Sequence, residues 1–236
     1  MNLVKFSIDS LRRTRPAPQR SVVIGDKEYP TTEIGGKLWL AENLDLPWDG
    51  LKVGIAKTEE HCPKAWYYDN DQATNGWNGR RLGLYYNYYA VEYMKEHASE
   101  LFPGWHVASS SEWQELKVAN MTFLNDPEDG RTALSQENLD WAPDWHGTNE
   151  LKFNLKPNGE VYGGENFRHY QFQQWHRNIG AECWMWTSTA PISYDEILPD
   201  YAGGRYDTQD LYVLYFPLEY EYNMFFGHCV RLVHDY

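Results

Sequence analysis

Aromatic side chains set the folding problem for this chain. Its 236 residues include 11 Trp, 18 Tyr and 9 Phe, or 16% of the total. Each such ring buries a large area when covered, and Trp and Tyr also carry an N–H or O–H that wants a partner. This composition suits a loop-rich domain whose irregular segments are pinned by rings. It equally suits a recognition surface, where rigid amphipathic rings are favoured.

The length is enough for one large domain or at most two small ones. With 42% hydrophobic and 23% charged residues, wholesale disorder is excluded. A mean hydropathy of −0.70, and no apolar run of about 18 residues, exclude a membrane-spanning helix. Three cysteines cannot make a disulfide scaffold, so the chain is expected to fold with free thiols.

The formal net charge is −13, but it is unevenly spread. Residues 1–20 hold Lys5, Arg12, Arg13, Arg15 and Arg20 against Asp9, a net of +4 that leaves −17 for the remainder. An acidic body repels phosphate backbones, which argues against nucleic-acid binding. The basic leader, with Pro16 and Pro18, reads as an extended arm rather than core. Arg12, Arg13, Arg15 and Arg20 are its candidate attachment residues; a merely solvated tail has the same composition. The leader lacks the apolar stretch and cleavage site of a secretory signal, and no lipoprotein-type Cys follows. The expectation is assembly in the cytoplasm.

Along the chain, 21–44 reads as two short strands joined by Gly- and Pro-containing turns. Residues 45–83 are rich in turn formers. In 85–101, Tyr86, Tyr89, Ala90, Tyr93, Met94 and His97 recur with helical spacing, and Pro103-Gly104 ends the pattern. Ser109 and Glu112 fit a capping box that opens a second helix through EWQELKVANMTFL. Beyond residue 140, short strands and turns dominate, including WMWTSTA, LYVLYFPLEYEYN and HCVRLVH. The order predicts an α+β fold, with 1–20 as an arm and 21–236 as a single domain.

Patterns for catalysis are thin. Gly-x-Ser-x-Gly, the P-loop and the dinucleotide Gly-x-Gly-x-x-Gly are absent. Asp69, Asp71 and Asn75 offer oxygen ligands of the kind Ca²⁺ takes, but Arg80 stands where an EF-hand needs a bidentate Glu. A turn held by its own Asx side chains fits these residues as well. His61-Cys62 and His228-Cys229 are adjacent pairs, not a zinc-finger spacing. No cofactor is therefore expected, with Ca²⁺ as the one alternative. Binding chemistry remains. Residues 192–210 are Gly-containing and rich in Tyr and Asp, and 217–227 add further tyrosines. The candidate ligand-binding residues are Tyr194, Asp195, Asp200, Tyr201, Arg205, Tyr206, Asp207, Tyr220 and Tyr222. Tyr with Asp supplies stacking plus directional hydrogen bonds, and a solvated loop packed by its own tyrosines is the plain alternative.

Several segments carry a resemblance. IGGKLWLAENL (34–44), PKAWYYDND (63–71), RLGLYYNYYAV (81–91) and PGWHVASSSEW (103–113) are followed by FNLKPNGEV (153–161), WMWTST (184–189) and HCVRLV (228–233). In this order and spacing they resemble the Fibrobacter succinogenes major paralogous domain, over roughly 22–236. That family is common in Bacteroidetes and their phages, and is similar in fold to C-type lectins and formylglycine-generating enzymes. The resemblance implies a C-type-lectin-like fold, with two helices flanking small antiparallel sheets, paired N- and C-terminal strands and a long loop-rich insert. It makes Trp39, Trp105, Trp113, Trp184 and Trp186 core or loop anchors.

Some relatives carry a cysteine pair where this chain has Leu101 and Leu232, so a buried apolar contact is expected in place of that staple. Formylglycine-generating enzymes use two closely spaced cysteines; here Cys183 and Cys229 lie 46 residues apart, which reads as two buried free thiols. Many relatives also begin with an export signal. The expectation is thus a non-enzymatic binding or structural module of an assembled particle. Its setting would be a phage virion, as a tail-fibre, decoration or receptor-binding component. Its partners would be other virion proteins through the arm, and a host-surface glycan or protein through the loops, with homo-oligomers allowed. The alternatives are a bacterial cell-surface or secreted adhesion domain, and an oxidase related to formylglycine-generating enzymes.

Overall fold

A computed structural model describes residues 20–54, 61–68, 76–77, 80–116, 149–156, 158–161, 176–177, 182–189, 200–205, 210–215 and 226–234. For 76–77, 80–81, 176–177, 182, 200–205 and 210–215 that description is of the backbone. Arg12, Arg13, Arg15, Tyr194, Asp195, Tyr206, Asp207, Tyr220, Tyr222 and the Asp69–Asn75 turn lie outside it.

The chain opens with two hairpins. β1 (Arg20–Ile24) pairs with β2 (Lys27–Ile34), which pairs with β3 (Lys37–Leu40). Gly25 sits at φ 63, and Gly35 and Gly36 at φ 63 and 78, the backbone that two-residue turns of the primed types require. The first turn fixes register back to Arg20↔Thr31, and the Thr31 hydroxyl donates to the Arg20 carbonyl at 2.9 Å. Arg20 is therefore the first residue of a strand, not the last of the arm.

Next come β4 (Lys52–Val53), β5 (Lys64–Trp66), β6 (Gly76–Trp77), β7 (Arg80–Arg81) and β8 (Tyr85–Tyr86). Two helices follow, α1 (Tyr88–Glu96) and the single turn α2 (Ala98–Leu101). The expected helix over 85–101 starts later and breaks at His97. Tyr85 and Tyr86 are strand residues paired to Trp66 and Ala65, and Asn87 is the N-cap, its Oδ1 accepting from the Ala90 N–H at 3.0 Å. The buried face is Tyr88, Ala90, Val91 and Met94, whereas Tyr89, Tyr93 and His97 are half-buried. Asn87 explains the offset: its side chain also accepts from Lys64 N–H and donates to the Cys62 carbonyl, tying the helix start to β5.

β9 (His106–Val107) leads to a helical segment at 110–116. β10 (Glu160–Val161), β11 (His176–Arg177), β12 (Glu182–Trp186), β13 (Asp200–Arg205), β14 (Asp210–Tyr215) and β15 (Leu232–His234) complete the order. The main sheet runs β1-β2-β3-β15-β9, so the last strand returns between β3 and β9. The expected pairing of terminal strands is met by β15 with β3, not with β1. The architecture is mixed α+β and sheet-rich. Its strand pairings are antiparallel apart from β4 with β5, and two isolated bridges, Gly159 with Cys183 and Met185 with Cys229, are also parallel, exceptions to the all-antiparallel expectation. Among the described residues, no helix is long and apolar enough to cross a membrane.

Two apolar clusters form the core. The first is centred on Trp39, Trp113 and Phe153, whose rings meet edge to face at 5.4–5.7 Å, with Cys183, Met185 and Cys229 beside them. The second gathers Tyr29, Tyr86, Trp105, Trp186 and Leu232. Trp39, Trp105, Trp113 and Trp186 are buried, as expected of anchors, and Trp184 is half-buried. Leu232 lies in the second cluster and Leu101 packs on it from its edge. Cys62, Cys183 and Cys229 are not joined in disulfides.

Candidate functional site

The residues that give this fold its chemistry fall into two groups. The first group locks the framework. Arg231, just before β15, is wholly buried and donates to Asn43 Oδ1 and to the carbonyls of Leu40, Phe153 and Asn154 at 2.7–3.0 Å. Its guanidinium also lies 4.7 Å from the Phe153 ring centre. Burial lowers its pKa to about 10, so it stays a cation at neutral pH. One side chain thus joins the β3 end, the 149–156 segment and the last strand.

Glu112, itself buried, has a similar role beside half-buried partners. The capping box read from Ser109 and Glu112 is present: Ser109 N–H donates to Glu112 Oε2 at 2.7 Å, and Glu112 N–H donates to Ser109 Oγ at 3.3 Å. Glu112 Oε1 also meets His106 Nε2 at 2.8 Å and Lys37 Nζ at 3.2 Å. Burial alone would raise its pKa, but the bonds from His106 and Ser109 overcome that and hold it at about 2. A carboxylate with a depressed folded pKa stabilises above its unfolded value and loses that contribution as pH falls. The melting temperature is therefore expected to drop between pH 4.5 and about 2. Glu112→Gln should be less stable at neutral pH and show a flatter profile in that window. Parallel melting curves with the same slope for both proteins would contradict this.

His228 is buried beneath Trp184, Trp186 and Phe226, with the Trp186 ring 4.6 Å away. Burial pushes its pKa down to about 3, so the ring is neutral. Cys183 and Cys229, far apart in sequence, are brought to neighbouring segments: Met185 bridges Cys229, and Cys183 is near enough to act on its charge. The two thiols are buried and not joined in a disulfide, as the 46-residue spacing suggested. Both are fully buried, and burial pushes the Cys229 thiol well up, which opposes thiolate formation. His61 is engaged with the Tyr89 hydroxyl at 2.5 Å. Among the described residues, no three His, Cys, Asp or Glu side chains come together as a metal site.

The second group is the sheet β12-β13-β14. β12 is held in the framework on its other edge: Trp186 N–H donates to the Cys229 carbonyl, and Asn158 Nδ2 donates to that of Trp184. Trp186 Nε1 donates to the Tyr86 carbonyl at 2.6 Å. β13 and β14 extend from the free edge of β12 as an antiparallel pair. Asp200, Tyr201 and Arg205, expected in a recognition loop, are strand residues of β13. Asp and two glycines hid the strand, because each is unfavourable there. Pairing on both sides overrides that preference: Arg205 lies opposite Glu182 and Asp210, Gly203 opposite Trp184 and Tyr212, and Tyr201 opposite Trp186 and Leu214. The sequence reading missed Glu182, Gly203, Asp210 and Tyr212. The alternation in LYVLY was the available signal for β14.

The comparison with known proteins concerns sequence. No curated protein and no solved structure matches the chain. A sequence model of the Fibrobacter succinogenes major domain matches residues 32–212. That span is shorter than the resemblance suggested: it ends inside β14 and leaves HCVRLV (228–233), with Arg231, beyond it. It nonetheless takes in β3, both helices, the Glu112 cap and most of the β12-β13-β14 sheet, and on this match the chain belongs to the Fibrobacter succinogenes major domain family.

Proposed function

We propose that this chain is a non-enzymatic recognition module of C-type-lectin-like fold, carried on an assembled particle, a phage virion, by its basic arm. One observation carries the reading. Among the described residues the strongly perturbed ionisable groups belong to the framework, whereas the Tyr-, Asp- and Arg-bearing strands β13 and β14 pair onto it through β12. A rigid scaffold presenting one such element is where binding residues concentrate. Support for the lectin-like fold comes from the return of β15 into the N-terminal sheet beside the helices. Support for the particle comes from the +4 leader set against a −17 remainder, a charge pattern suited to an acidic docking surface.

The test separates tether from domain. Deleting residues 1–19 should leave the melting temperature unchanged and surface binding intact, because the arm ends where β1 begins. The same deletion should abolish incorporation into the parent particle. Normal incorporation of the shortened chain would contradict the proposal.

A further inference from the structure

Among the described residues, the main sheet ends on one side at β1, which pairs with β2 and with no strand beyond it. Pro30 shows which backbone groups of β1 face outward. It has no N–H, and its carbonyl accepts from the Ala41 N–H at 2.7 Å, on the side away from β1. Ser21, directly opposite Pro30, is therefore a β1 position without ladder bonds to β2. Antiparallel bonding alternates, so Arg20, Val22 and Ile24 bond inward, while Ser21 and Val23 turn their N–H and C=O groups outward.

The side chains follow the same alternation. Ile24 is buried and Val22 packs on the second core cluster, whereas Val23 is 67% exposed. Open edges are usually guarded by a proline, a lysine, a bulge or an inward-pointing charge. Ser21–Ile24 has none of these, and its register against β2 runs one to one. The Ser21 hydroxyl is already engaged, donating to the Glu28 carboxylate.

We infer that β1 is a homodimer interface, at which two copies of the chain pair antiparallel, edge to edge, about a two-fold axis at Val22. This does not depend on the recognition reading. Three features select a second copy as the occupant. With Val22 opposite its own counterpart, Ser21 of each copy meets Val23 of the other, and every outward N–H and C=O of both strands finds a partner. The same register sets Arg20 of each copy across from Ile24 of the other, next to the turn that holds Asp26. It thereby brings the +4 of residues 1–20 against the net −17 of the other copy's remainder. Finally, the pairing uses the same patch on both copies and closes. The opposite edge, β9, has two residues, too short to extend the sheet into a fibre. A dimer so joined presents two β12-β13-β14 sheets and two arms, which raises avidity without any new contact to the target.

The interface is small, so the full chain should dimerise weakly and reversibly, which sedimentation equilibrium over a concentration series reads directly. Val23→Pro removes an outward N–H and no bond to β2, and Val23→Lys puts a charge on the edge. Both should melt like the wild type at concentrations where the chain is monomeric, and both should weaken dimerisation about tenfold or more. Val22→Cys should cross-link two copies under mild oxidation, with the wild type as control, because facing positions of this kind lie about 4.5 Å apart at Cα. A wild type that stays monomeric at every concentration overturns the inference. A dimer that neither Val23 variant weakens and Val22→Cys does not cross-link also overturns it, by placing the contact elsewhere. A monomer whose incorporation into the parent particle is lost in both Val23 variants overturns the second copy as occupant and gives the edge to another particle protein.

Discussion

Replacing Arg231 with Met is expected to cost about 3–5 kcal/mol of stability, because it strands several buried neutral acceptors at about 1–3 kcal/mol each. Methionine roughly fills the volume but leaves Asn43 Oδ1 and the carbonyls of Leu40, Phe153 and Asn154 without their shared donor. At about 2–4 °C per kcal/mol for a chain this size, the melting temperature should fall by about 10 °C or more. Arg231→Lys keeps the charge, yet a compact ammonium cannot reach all four acceptors on two separate segments, so it should also be clearly destabilised. Denaturant midpoints at pH 7 measure both. A loss below about 1 kcal/mol for the Met variant would mean that the four acceptors find other donors.

Trp186→Ala should be comparably severe, at about 3–5 kcal/mol. The side chain is fully buried between the Tyr88 and His228 rings, at 5.4 and 4.6 Å, and its N–H bonds the Tyr86 carbonyl. Trp186→Phe keeps a ring in that place and loses the N–H. The Tyr86 carbonyl still accepts from His228 N–H at 3.1 Å, so the cost should be nearer 1 kcal/mol. Because Trp186 ends the strand that carries β13 and β14, Ala should impair surface binding along with folding, and Phe should leave binding intact. Equal melting of the two variants would refute the role assigned to the indole.

Local chemistry made part of this fold legible in the sequence. The Gly25 and Gly35-Gly36 turns, the Ser109–Glu112 box and the tryptophan anchors each depend on residues close in the chain, or on a side chain too large to leave exposed. The tyrosine spacing in 85–101 fitted a helix, but Tyr85 and Tyr86 were claimed by β5, a partner some 20 residues away. The Arg231 network and the approach of Cys183 to Cys229 were hidden for the same reason. Arg231 and Asn43 are 188 residues apart, and no periodicity reports such a contact. At the candidate site, Tyr201 and Arg205 were expected from residue type and lie in β13. Their neighbours Glu182, Trp184 and Tyr212 became visible only through strand register, which glycine-rich sequence specifies poorly.

Saturation binding of the full chain to bacterial envelope preparations, with the envelope glycans and proteins assayed for chemical change in the same tubes, tests recognition without catalysis most directly. The expected result is saturable, stoichiometric binding that leaves the bound material unaltered. Turnover of that material by catalytic amounts of protein, or the absence of any saturable binding, would contradict it.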